Sequence, residues 1–131
     1  MRFRFAQLVG RYRLVVSEEL LAFVERTFVE PAPERERAAI RQDALAEAAA
    51  AELLIEPDGT VISRAGEVEF YRIRLSFAEA ELSELRFEKA PGQSVTLRLL
   101  DADTLLTVQP GKPNAVFTRV EERGSPRSGR A

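Results

Sequence analysis

The sequence has no histidine and no cysteine. Without histidine there is no Ser-His-Asp or Cys-His relay and no imidazole zinc site. Without cysteine there is no disulfide, no thiolate nucleophile and no thiolate metal site, and the redox compartment is left open. Catalysis would have to rest on carboxylates, on Lys89 or Lys112, on the two tyrosines, or on serines and arginines. Histidine is the commonest general acid–base, so its absence points away from an enzyme. No catalytic residue, metal or cofactor is expected. Long apolar runs are missing as well. None reaches the ~18 residues of a membrane helix, and because arginines interrupt the opening MRFRFAQLVGRYRL it is not expected to be a signal peptide. The expected location is the cytoplasm, or outside it if a leader was removed. An excess of one charge is also lacking: 19 basic and 21 acidic residues leave a net charge of −2. That excludes a nucleic-acid binder working through bulk charge.

What is present is an ordinary globular composition, 45% hydrophobic and 31% charged over 131 residues. It suits one domain, read as 1–122, with a polar tail at 123–131 expected to be disordered. Residues 8–16, LVGRYRLVV, alternate. Leu8, Gly10, Tyr12, Leu14 and Val16 share one face and Arg11 and Arg13 the other, the pattern of a half-buried strand with its arginines in solvent. The period then changes. Ser17 is a good N-cap, Glu18 and Glu19 suit a helix start, and Leu20, Leu21, Phe23, Val24 and Phe28 form an apolar stripe. The EPAP segment at 30–33 ends this helix, and an alanine-rich second helix follows from Pro33, with a thin face of Ile40, Ala44, Leu45, Ala48 and Ala51.

From residue 52 the chain reads as strands joined by short turns. Pro57-Asp58-Gly59, Ala90-Pro91-Gly92, Asp101-Ala102-Asp103 and Pro110 to Asn114 punctuate apolar alternation. A switch of phase between Phe70 and Tyr71 predicts a β-bulge there. The expected fold is mainly β: an antiparallel meander of about eight strands forming a barrel, with two helices (17–51) inserted between strands 1 and 2.

Gly10-Arg11-Tyr12 near the start of the first strand, with Arg119 in VFTRV near the end of the last, resembles the signature of lipocalin-like, calycin-type barrels such as small bacterial domains of that kind. The resemblance implies an aromatic at the barrel's end, crossed by the cation of the final strand. Cation–π packing of Arg119 on Tyr12 would be worth roughly 0.5–2 kcal/mol, with Phe3, Phe5 and Leu8 plugging the same end. Departures are a tyrosine in place of the family's usual tryptophan, and Arg119-Val120-Glu121 in place of the Arg-x-Tyr of fatty-acid-binding relatives. The resemblance implies a non-catalytic barrel that binds or carries a small apolar ligand. Tyr12, Tyr71, Phe77, Phe87, Phe117 and Arg119 are its candidate ligand-binding or barrel-closing residues. A second reading stands beside it: a structural or interaction module with a filled core. Leu20, Leu21, Phe23, Val24 and Phe28 would then meet a partner or a second copy in a homodimer. Asp101 and Asp103 read as a solvated turn.

Overall fold

The computed structural model describes residues 1–76 and 79–120. Phe77 and the tail at 123–131 lie outside the described residues. Eight strands form one antiparallel sheet: β1 (Gly10–Leu14), β2 (Ala51–Ile55), β3 (Thr60–Ala65), β4 (Val68–Arg74), β5 (Leu85–Ala90), β6 (Gln93–Asp101), β7 (Thr104–Val108) and β8 (Ala115–Arg119). Their order is β4-β3-β2-β1-β8-β7-β6-β5. The first strand pairs with both the second and the last, so the chain ends meet in the middle of the sheet. The sheet curls into a nearly closed barrel, as the meander pattern predicts. Its free ends, β4 and β5, face each other, and Tyr71 and Phe87 meet across that gap with ring centroids 6.0 Å apart and planes at 58°.

Turn chemistry sets the hairpins. At the β2–β3 turn, Gly59 (φ 98°) donates to Glu56 O at 3.0 Å, and Asp58 Oδ1 accepts from Thr60 N at 2.9 Å. At the expected bulge, Ser63 lies opposite Tyr71 but Arg64 lies opposite Glu69. Phe70 is the extra residue, and the bulge turns it outward while Tyr71 and Ile73 face the core.

One boundary differs from the sequence pattern. The first strand begins at Gly10, and Phe5–Leu8 is instead one helical turn, α1. The reason is geometric. In a strand, Phe5 and Leu8 would point to opposite faces; at helical i, i+3 spacing they point the same way. Both are buried with Phe3 against the barrel's end. The turn is clamped by Arg4 N donating to Gln7 Oε1 at 2.7 Å. Phe3 also forms a two-way bridge with Leu82 in the β4–β5 connection (2.8 and 2.6 Å).

The helical insertion follows β1. Ser17 Oγ accepts from Leu20 N at 3.1 Å and starts α2 (Glu18–Val24), which runs on as a π-helical turn over Glu25–Val29. A 3₁₀ turn (Glu34–Glu36) leads into α3 (Arg37–Ala50). Arg37 donates to Ala32 O and Glu30 O, both at 3.0 Å, satisfying carbonyls between the helices. Glu25 and Arg41 form an ion pair that ties the two helices together.

Helix α3 packs over the outside of β1 and β3. Arg11 and Arg13 do point outward there, but not simply into solvent. They flank Glu52, an outward residue of β2 only 8% exposed. Arg11 donates to its Oε2 through Nε (2.9 Å) and Nη2 (2.6 Å), Arg64 to Oε1 (3.3 Å), and Arg13 stands 3.7 Å away. Burial pushes the Glu52 carboxyl up, but the hydrogen bonds and charges of Arg11 and Arg64 outweigh it and hold the group below the usual carboxylate range. Because its folded value lies below its unfolded one, the stabilisation is complete at neutral pH and fades as the pH falls below about 4.5. Replacing Glu52 by Gln should lower the unfolding free energy at pH 7 by about 1–2 kcal/mol. The deficit should shrink towards zero in acid. Urea melts across that pH range check both halves; a deficit that persists unchanged in acid would show that packing, not charge, is at stake.

Candidate functional site

At the barrel end where β1 begins and β8 finishes, Tyr12 and Arg119 are directly opposed in register. The Arg119 guanidinium carbon lies 4.8 Å from the Tyr12 ring centroid. Tyr12 is fully buried and donates through its hydroxyl to Leu8 O at 2.7 Å, fastening the helical plug to the strand below it. Arg119 donates Nη1 to Val9 O (2.7 Å), Nη2 to Gln7 O (2.9 Å) and Ala102 O (3.1 Å), and Nε to Ala102 O (3.2 Å). Asp103 Oδ1 stands 3.6 Å from Nε. Most of the guanidinium's five N–H groups thus face backbone carbonyls. The arrangement cross-links the N-terminal plug, β8 and the β6–β7 turn, and leaves Arg119 little capacity to hold a ligand carboxylate.

The geometry also explains Gly10. Its φ is 153°, and a Cβ there would run into Arg119 Nη1. Glycine is the residue that lets the guanidinium lie flat across the strand.

Inside the barrel the predicted inward side chains form one buried cluster. Tyr12, Phe87 and Phe117 pack with Leu53, Ile55, Val61, Val95, Leu97, Leu99 and Leu105, and Phe3, Phe5 and Leu8 join from the plug. Tyr71 packs against the cluster from the side. Burial holds the Tyr71 phenol up at about 12. It also raises Tyr12, against the opposing charge and hydrogen bond of Arg119. Neither phenol is poised to lose a proton near neutrality, so neither suits general-base chemistry. Among the described residues no group of three or more carboxylates is placed to hold a metal, and no helix is long and apolar enough to cross a membrane.

The more accessible feature is outside the barrel. Between α2, α3 and the barrel wall lies a groove of about 230 Å³. Leu20, Phe23, Val24 and Phe28 line it from the first helix and its π turn; Ala44, Glu47 and Ala48 from α3; and Leu14, Ala51 and Phe70 from the strands. Of the five helix residues predicted as an interaction surface, four therefore line the groove. Leu21 faces away and is 37% exposed, whereas Val24 is buried at its base. Phe28 and Phe70 stand at 51% and 48% exposure. Phe23 meets Phe28 edge-on, with centroids 6.2 Å apart. The sequence did not single out Phe70. Its signal was the phase switch at 70–71, since the bulged residue leaves the core face.

No family model, curated protein or solved structure matches this chain.

Two outcomes follow from the sealed end. Gly10→Ala should lower stability by about 1–3 kcal/mol, because the guanidinium must leave either the ring or its carbonyls; an unchanged urea midpoint would disprove the close approach. The tyrosines give a second readout, free of tryptophan absorbance. Folded phenols with raised values contribute stability that is whole below pH 10 and lost as pH climbs towards 12. Ultraviolet titration should show both phenols ionising above pH 10 together with unfolding, and Tyr71→Phe should reduce that alkaline loss. Ionisation of either phenol at pH 10 or below in the folded protein would contradict the burial.

Proposed function

We propose that this protein is a non-catalytic, lipocalin-like binding module whose small apolar ligand sits in the groove beneath the helical insertion, not in the barrel interior. The observation that carries this reading is the contrast between the two spaces. The interior positions are occupied by large side chains packed on one another from the plug upward. The groove is open, is walled almost wholly by apolar side chains, and has Glu47 as its one charged lining residue. Concave, mostly apolar sites with few polar groups are the usual form of small-molecule sites. An eight-stranded barrel is just wide enough to be filled by its own side chains or to hold one small ligand, and the large inward residues here favour the filled form. The lipocalin-like reading rests on the nearly closed eight-stranded meander and on the Gly10, Tyr12 and Arg119 arrangement at its end.

A second reading has its own support. Phe28 and Phe70 in the groove wall, and Leu21 and Val68 outside it, are all more than a third exposed. Exposed apolar side chains of this kind also suit a protein partner or a second copy.

The test uses the dye 1-anilinonaphthalene-8-sulfonate and an alanine-to-phenylalanine change that fills the groove. The full chain should enhance dye fluorescence saturably. Ala48→Phe should weaken binding by at least roughly tenfold, while Phe117→Leu, within the barrel, should leave it nearly unchanged. Binding that is insensitive to Ala48→Phe but lost in Phe117→Leu would move the site into the barrel. No dye binding, together with concentration-dependent sedimentation that Phe28→Glu abolishes, would favour the interaction module.

A further inference from the structure

Of the 19 basic side chains only two, Lys89 and Lys112, are lysines. They are far apart in sequence, yet both line one cleft of about 200 Å³ at the barrel mouth, the end opposite the Arg119 seal. The strand ends explain their meeting. Lys89 is the extra residue of a β5–β6 bulge, between Glu88 opposite Ser94 and Ala90 opposite Gln93, and Gln109 continues the inward phase of Leu105 and Thr107 beyond the end of β7. Lys112 sits on the turn that follows. Where the core face runs past its apolar residues, it becomes polar.

Three observations converge here. First, every ion pair described above has an arginine as its cation, and among the described residues neither lysine has a carboxylate partner. Second, the two lysines share the lining of this one cleft, and burial, then the positive charge of Lys112, push Lys89 below the ordinary lysine range. Two cations side by side without a counter-ion repel each other, and an anion between them relieves the repulsion. Third, Gln109 Oε1, of a residue lining the same cleft, is buried and has no hydrogen-bond donor among the described residues. A buried acceptor without a donor is costly and asks for one.

We propose that the mouth cleft binds a small oxyanion that also carries a donor hydroxyl, with Lys89 and Lys112 holding the charge and Gln109 Oε1 accepting from the hydroxyl. A hydrogen phosphate group and an α-hydroxy carboxylate share this chemistry. Ser94 and Gln93, also in the lining, offer further polar contacts. The site is separate from the apolar groove and does not depend on its being occupied.

Calorimetric titration of the full chain at low salt tests this with three probes: inorganic phosphate, glycolate, and acetate as the anion without a hydroxyl. Phosphate or glycolate should bind at one site, and whichever binds tighter identifies the source of the oxyanion. Acetate should bind several-fold more weakly than glycolate, and Gln109→Met should erase that difference. Lys112→Met, on an exposed turn, and Lys89→Met, which keeps the length of the stem, should each weaken binding by roughly tenfold, the worth of one charge-assisted hydrogen bond. Circular dichroism establishes that each variant is folded, and if Lys89→Met is not, Lys112→Met carries the test alone. Absence of saturable binding by both phosphate and glycolate, or binding unchanged in folded Lys112→Met, overturns the proposal.

Discussion

The Arg119 guanidinium is the joint on which this architecture turns. A meander brings its last strand beside its first, but hydrogen bonds between two short edges do not by themselves seal a barrel end. Arg119 does so with one side chain. It lies on the Tyr12 ring and binds carbonyls of the N-terminal plug and of the β6–β7 turn. The register requires it, since Tyr12 and Arg119 are directly opposed. Gly10 makes room for it. Tyr12 in turn holds Leu8 O, so the plug, the ring and the guanidinium form one continuous stack. A charge this close to the core is tolerable because its donors are answered by backbone carbonyls, each an acceptor that would otherwise need one.

Sealing one end so thoroughly constrains where a ligand can go. Phe3, Phe5 and Leu8 fill the volume beneath the seal, and the large residues of the strands fill the middle. The gap between β4 and β5 is bridged by Tyr71 and Phe87. The two proposed sites accordingly lie at the other end and on the outer wall, where the helical insertion leaves β1 and returns into β2. That insertion packs over the barrel wall through α3. The Glu52 cluster ties together the strands beneath α3, and the Arg37 and Arg41 contacts lock the two helices to each other. A groove whose walls are each held by such contacts has less to order on binding.

The sequence made the strands legible for a simple reason: each turn carries its own chemistry, and period-2 alternation needs no tertiary information. The Tyr12–Arg119 pairing was readable because a family resemblance supplied the long-range register that alternation lacks. The α1 turn was not readable, because the alternation of residues 8–16 says nothing of what precedes it, and only the barrel end demands that Phe5 and Leu8 face the same way. Nor was Glu52. Its neighbours Arg11 and Arg13 have the pattern of a solvent face, and only the strand register brings Arg64 beside them and α3 above. Phe70 stood between: the bulge was predictable, but its place in the groove wall was not.

The division of labour between the two kinds of cation completes the argument. Every arginine contact described above is structural: it clamps a carboxylate or a run of carbonyls, work suited to a rigid, planar fork of donors. The lysines do none of it. Both line the mouth cleft, without a carboxylate partner among the described residues, where a guanidinium's fixed fork would serve less well than two movable point charges. A fold held together by arginine would gain little stability from placing its only two lysines side by side. Their juxtaposition with the Gln109 acceptor is the ground for the proposed anion site. That site would stand at the open end of a barrel whose other end is sealed by a cation with most of its donors already engaged.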